Sequence, residues 1–590
     1  MKRKQWYSVL VLLLVGVLTL AACGGGQEPT EAPLEPTEAP EEPMEEPTEE
    51  PMEEPTEEPM EEPTEEPMEE PTEEPMEEPT EEPAEEPTED PAAGDQSTVI
   101  IGTTDSISSL DFADAYAIHD WELFRNVNRG LMGFEPGTAE VIPVVATGEP
   151  EVSEDGLTYT FTIGGDWAFP IDGECVPLVA GDFVRSVNRA LTLEGDVAGL
   201  VTSYVASVEA PDDQTVVFTL STPRGDFPQI ITGSAYMPVP EGAYPEEELN
   251  QFPDTVYGIG PWMITDYTVE EQLVLERNPC YSGEIADSAP ERVIVSYFQD
   301  ATQMALAVEN AEIDIAWRIL GPPEVQRLSD VEGLTAYNSG GGGIRYLVPN
   351  HAMEPFSNAD LRRALAYLVD RDELADRVMQ GTVDPLYSMV PPGFLGANEA
   401  FLDVYNSPDI AAAEELLSAA GYSEDNPLTF DLWYPPEHYG THAAQIFQVL
   451  EEQFEATPLI DVNLQSQEWG TYVGALTGGE YPIGYLGWFF DYPDSSNYLD
   501  PFAESTFSPT LGVSYSNPEM DELLHAAAAS TDEAERTDLY GQAQNLHAED
   551  AVTIPLTLEP EYAVYNSETV DNVIIGPALF FQYELIELAE

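Results

Sequence analysis

From Gln27 to Pro91 the chain repeats a four-residue unit, Glu-Glu-Pro-Thr alternating with Glu-Glu-Pro-Met, and no other feature limits its folding as severely. A proline every fourth residue removes N–H donors and drives its ring into the preceding turn, so a continuous helix is forbidden. The glutamates repel one another, and almost nothing apolar is present to bury. An extended, polyproline-like and disordered stalk is the expectation. Its roughly 65 residues would reach on the order of 200 Å at about 3.1 Å each, or about 45 Å as a flexible coil. The stalk reads as a spacer that holds a folded body away from whatever anchors its other end.

What precedes the stalk reads as a targeting segment. Lys2-Arg3-Lys4 is a positive start, and Val9 to Leu20 is an almost unbroken apolar run, too short to span a bilayer comfortably. It ends in Leu20-Ala21-Ala22-Cys23-Gly24, which resembles the lipobox of bacterial lipoproteins. That resemblance implies cleavage before Cys23, lipidation of Cys23, and a mature protein anchored outside the cytoplasm by its lipid alone.

Charge narrows the partners. The chain has 113 acidic and 18 basic residues, a formal net charge of −95, and no lysine after Lys4. Such a field repels nucleic-acid phosphates and anionic membrane surfaces alike, so nucleic acid and peripheral electrostatic docking are excluded. Acid excess without lysine suits a salty medium, where screening relieves self-repulsion. Cys175 and Cys280 would lie in an oxidising compartment, where pairing depends on a Cα separation that sequence leaves open.

From Ser97 the texture becomes mixed α/β. Thr98–Gly102, Leu157–Ile163, Thr215–Leu220, Gln272–Glu276, Arg292–Tyr297, Leu428–Tyr434, Asp461–Leu464 and Thr553–Leu558 read as strands. Asp360–Met379, Ile410–Ala420, His442–Phe454 and Pro518–His547 read as helices. Gly258–Pro261, Ser339–Gly343 and Pro391-Pro392-Gly393 punctuate loops. No long linker divides the body, which favours lobes assembled from several chain segments.

Enzyme templates find no match: there is no Gly-x-Ser-x-Gly elbow, phosphate loop or His-Glu-x-x-His. His438-Tyr-Gly-Thr-His442 has the spacing of two helical metal ligands, but Gly440 and Pro435-Pro436 favour a helix entry. Neither a metal, a cofactor nor a catalytic residue is expected. One span stands out, Gly487-Trp-Phe-Phe-Asp-Tyr-Pro-Asp-Ser-Ser-Asn-Tyr-Leu-Asp-Pro501. Its prolines and serines force it to turn. Aromatic walls with a placed carboxylate describe a small-molecule pocket, in which Asp491 would grip an ammonium group. The residues equally allow a structural turn in which Asp491 caps backbone N–H groups.

Seven stretches, in order, resemble family 5 of the extracytoplasmic solute-binding proteins, the peptide binders of ABC importers. They are Gly130-Leu-Met132 with Ser153–Phe161, Gly258–Pro261 with Leu275–Pro279, Ala307–Ile315, Arg362–Tyr367 with Asp370-Arg371, Ala420–Tyr422, Gln467–Trp469 and Gly487–Asp500. The resemblance implies an α/β fold, a three-lobed clamshell of the type II periplasmic-binding-protein kind behind the disordered stalk. It implies a signal peptide over 1–22 and an anchored linker over 23–96. Lobe I would comprise 97–140, 246–335 and 553–590, with lobe II over 141–245 and lobe III over 336–552. It further implies a monomer that captures short peptides and delivers them to a permease. Asp491 matches the family aspartate that holds a peptide's α-ammonium, with Trp488, Tyr492, Trp469 and Arg345 as neighbouring ligand contacts. The resemblance places no partner for the peptide carboxylate; Arg345 and Arg318 are candidates only because arginine is scarce. The two phenylalanines after Trp488 depart from the family's small residues, which leaves an oligosaccharide or metal chelate as alternative ligands and a secreted hydrolase as a remote one.

Overall fold

The structure, a computed structural model, describes residues 97–440, 442–578 and 580–589. The signal peptide, Cys23 and the stalk lie outside the described residues. None of the described helices is long and apolar enough to cross a membrane.

Three sheets organise the body. The first has seven strands in the order Trp262–Thr268, Gln272–Arg277, Arg292–Tyr297, Thr98–Thr103, Ile315–Trp317, Tyr562–Asn566 and Leu334–Asn338. Its centre is parallel, with Thr98–Thr103 between Arg292–Tyr297 and Ile315–Trp317. The second has six strands, ordered Asp384–Pro385, Ile554–Glu559, Gly343–Pro349, Ile483–Trp488, Leu428–Tyr434 and Ile460–Ser466. The third, four-stranded and antiparallel, lies within 151–220. Thr215–Leu220 shows why such runs become strands: Val216, Phe218 and Leu220 alternate into the core while Thr219 faces water. Helix Ala180–Thr192 covers this sheet with Ala180, Phe183, Val187 and Ala190, spaced for one helical face.

Two long helices expected from periodicity are broken, each by an aspartate. Asp360–Met379 ends its α-helix at Leu368, and Asp370 then caps a new start by accepting from the N–H of Glu373 at 3.0 Å. Pro518–His547 divides into Pro518–Ala529 and Glu533–Asp550, where Asp532 accepts from the N–H of Glu535 at 3.0 Å. Apolar spacing continues through both breaks, but a carboxylate that satisfies orphan N–H groups stabilises a restart over continuation.

The chain passes between the seven- and six-stranded sheets at two adjacent places. One is the glycine turn between Leu334–Asn338 and Gly343–Pro349, where Gly340 and Gly341 take φ of 90° and 83°. The other lies between Ile554–Glu559 and Tyr562–Asn566. The two are tied by Ser339, whose N–H donates to the carbonyl of Glu561 at 3.0 Å. Ile554–Glu559 pairs with Gly343–Pro349 within the six-stranded sheet.

The four-stranded sheet's layer is fixed to the seven-stranded one by two covalent or charged ties. Cys175 and Cys280 are joined in a disulfide with Cα atoms 5.4 Å apart. Arg189 on helix Ala180–Thr192 makes two bonds to Asp111, at 2.7 and 2.8 Å, with both side chains buried.

Candidate functional site

Strand Ile483–Trp488 runs out of the six-stranded sheet and stops where the proline- and serine-rich turn begins. Helix Ser495–Ala503 follows. Its cap is Asp494, which accepts from the N–H of Ser496 at 2.9 Å, so Asp491 is released from that structural task. The turn between strand and helix is held by Asn497, whose Oδ1 accepts from the Asp491 N–H at 3.0 Å and from Trp488 Nε1 at 3.1 Å. A buried amide thus orients both Asp491 and Trp488.

The Asp491 carboxylate is half-buried and meets only neutral donors. Tyr116 Oη donates to Oδ1 at 2.6 Å, and Asn497 Nδ2 donates to Oδ2 at 3.2 Å. Among the described residues no cation pairs with it. Burial pushes its pKa above the ordinary carboxylate value, and the two donors pull the other way. Tyr116 comes from the segment ahead of helix Ile118–Val127, so two distant chain segments meet at the carboxylate. The space beside it is about 10 Å³, lined by Trp121, Leu200, Ile230, Ser234 and Tyr492. That is room for about one water.

The neighbouring aspartates are treated otherwise. Asp494 is buried and paired with Arg536 at 2.7 Å. Asp226, from the four-stranded layer, pairs with Arg224 and accepts from Ser496 Oγ at 2.8 Å. Arg224 also lies 3.6 Å from Asp500, whose pKa burial pushes up to about 7. Tyr492 belongs to this cluster, with its hydroxyl 3.3 Å from that of Tyr204 and 3.4 Å from Arg224. These contacts join the four-stranded layer to the turn after Trp488, and a chamber of about 950 Å³ opens beside them between residues 132–159, 225–229, 392–395 and 531–536.

The structure gathers Trp488, Tyr492 and Asp491 into one turn, and sets Arg345 opposite Gly487 on the adjacent strand, with Tyr439 between it and Trp469. Trp469 stacks on His438 with centroids 3.6 Å apart and planes within 2°. Arg345 pairs with Glu559 at 2.8 Å and lies over the ring of Tyr439. Arg318 is paired with Asp105. Both arginines named as carboxylate partners are therefore already neutralised. Among the described residues no cluster of histidine, cysteine and carboxylate is placed to hold a metal. Tyr116, Trp121 and Asn497 were not singled out from sequence. Asn497 follows Asp491 by six residues and was legible as a turn residue, whereas Tyr116 carries no local signal.

Residues 140–509 match the model of the bacterial extracellular solute-binding proteins, family 5 Middle. The dipeptide-binding protein DppE of Bacillus subtilis is 25% identical over 494 residues, 78% of this chain and 86% of that protein. The periplasmic oligopeptide-binding protein OppA of Salmonella typhimurium is 24% identical over 78% of this chain and 87% of its own. Among solved structures, the ABC transporter-associated periplasmic binding protein DppA of Helicobacter pylori, in complex with the peptide STSA, superimposes with a TM-score of 0.70. It is 23% identical and covers 84% of this chain and 98% of its own. With the matched span exceeding half its length, the chain belongs to the family 5 bacterial extracellular solute-binding proteins.

Proposed function

We propose that this protein captures short peptides outside the cytoplasmic membrane and delivers them to an ABC permease. It acts as a lipid-anchored monomer, held through Cys23 and its stalk, and catalyses no reaction. The observation that carries this reading is the Asp491 carboxylate, partly withdrawn from water and met only by neutral donors. A peptide's α-ammonium would supply the missing cation through a charge-assisted hydrogen bond. The relatives' names point the same way, as dipeptide- and oligopeptide-binding proteins. One face of Trp469, which would suit a sugar, is covered by His438.

Closure follows from the two crossings between sheets. Movement at Gly340-Gly341 and at Pro560-Glu561 would part the six-stranded sheet from the other two and expose Asp491. A peptide bridging the lobes stabilises the closed arrangement by no more than its differential affinity for the two. Thermal unfolding of the full chain with a short-peptide mixture, free or N-acetylated, tests the reading. Binding adds about 2.7 kcal/mol of stability at a hundredfold excess over Kd, so free peptides should raise the midpoint. Acetylated peptides should not. No shift with either would sink the peptide assignment.

A further inference from the structure

Gly225 lies in the turn after strand Thr215–Leu220, on the four-stranded layer. Phe227, two residues on, packs with Phe218 in that layer's core. Ala527, on helix Pro518–Ala529, packs with Leu524 in the core against the six-stranded sheet. Between these two cores the main chains touch. The Gly225 N–H donates to the carbonyl of Ala528 at 2.7 Å. A Cβ on Gly225 would fall inside the carbonyl group of Ser530, 2.5 Å from its carbon and closer still to its oxygen. Non-bonded carbons rest about 3.5–4.0 Å apart. Gly225 does not take a positive φ, so what calls for glycine here is the close approach and not the turn. Gly195 and Gly258 also crowd main-chain oxygens, but their neighbours, Ala113 and Val127, belong to the layers that the disulfide joins. Of the three, Gly225 is the one that reaches across to the helices of the six-stranded sheet.

Neither side can yield locally. Tyr159 Oη holds the carbonyl of Arg224 at 2.6 Å. Across the seam, the Ser530 N–H donates to the carbonyl of Ala526 at 3.1 Å, and its hydroxyl donates to Glu535 at 2.6 Å while accepting from the Asp532 N–H at 3.1 Å. A side chain at 225 is therefore relieved only by parting the seam. Two more bonds cross it: Ser496 Oγ donates to Asp226 at 2.8 Å, and Arg224 lies 3.6 Å from Asp500. These contacts run from protein to protein, and none uses the Asp491 carboxylate. Polar bonds exchanged for bonds to water net little each, so such a seam biases two lobes towards closure without locking them.

We propose that Gly225 is a positioning residue for capture: by letting the two main chains meet, it sets how far the closed arrangement is favoured, and hence the affinity for every peptide alike, without touching the ligand. This rests on the closure proposed above. A shift in the fraction of molecules that are competent to bind multiplies every dissociation constant by one factor. The test combines titration calorimetry with pulsed electron paramagnetic resonance, both on the full chain. Gly225→Ala should weaken a tripeptide and a tetrapeptide about tenfold or more, by factors that agree within about threefold. Spin labels on Ser221→Cys and Ala534→Cys, exposed on the two sides of the seam, should stand further apart in Gly225→Ala than in the parent when no peptide is present. Ser496→Ala removes one bond of the seam and adds no bulk, and should act in the same sense but less, so a poorly folding Gly225→Ala does not blunt the test. An unchanged label separation in both variants, or a penalty that depends on the peptide, would overturn the assignment. A longer separation alongside a parent that binds no peptide would overturn the peptide reading and leave the seam standing.

Discussion

Asp491 and Asp494 stand three residues apart on one turn, and their surroundings treat the same chemical group in opposite ways. Asp494 is buried, capped onto a helix and paired with Arg536 at 2.7 Å. Asp491 is half-buried and receives only a phenol and an amide. A buried charge with its countercharge in place is a fastening, and removing either half strands the other. A charge desolvated without one is held at a cost that a ligand's opposite charge can recover. The Arg224–Asp226–Ser496 cluster falls in the first class and the Asp491 turn in the second.

The largest expected effect breaks the fastening. Arg536→Met leaves Asp494 buried and unpaired, and should cost about 3–5 kcal/mol of stability, read as the denaturant midpoint of unfolding. An unchanged midpoint would erase the distinction between the two aspartates. Next, Asp491→Asn preserves shape but removes the charge and one of the two accepting oxygens. Peptides with free amino ends should bind about 2–5 kcal/mol more weakly, while thermal stability without ligand holds or rises. A stability loss matching that of Arg536→Met would place Asp491 with the fastenings.

Acidity sharpens the comparison by a smaller amount. Asp500 sits at the edge of the cluster with its pKa raised to about 7 by burial. A folded pKa above the unfolded one gives stability at low pH, lost as pH rises through about 7. Unfolding midpoints of Asp500→Asn should equal the parent's near pH 4 and exceed them by a few degrees at pH 8. His119, His351 and His547 titrate in the opposite sense, their pKa values lowered to about 4, 3 and 3 by burial, so only the difference between the two proteins isolates Asp500. The smallest effect is that of Tyr116→Phe, which removes a donor favouring the ionised form of Asp491. Peptide affinity at pH 8 should change less than about tenfold, while the pH at which binding fades should move upward.

Much of this was legible in the sequence. A strand such as Leu428–Tyr434 ends where β-branched and aromatic residues end, because local side-chain packing decides it. Asp491 was marked by its aromatic neighbours and by the resemblance. What could not be read is what distant segments bring. The hydroxyl on Asp491 comes from Tyr116, 375 residues away, and nothing local announces it. Arg345 and Arg318 attracted notice because arginine is scarce, yet scarcity carries no information about pairing. Their partners Glu559 and Asp105 are fixed by folding alone.

The Cys175–Cys280 bond spans 105 residues and fastens hairpin Ala168–Pro177 of one layer to the loop behind strand Gln272–Arg277 of another. Together with Arg189–Asp111 it welds those two layers into a single jaw. In the proposed closure the six-stranded sheet would turn about its two crossings against that joined base. The proposed grasp would then be a hinged lid on a joined base, and whatever docks against the base would read the same surface whether the lid is raised or shut.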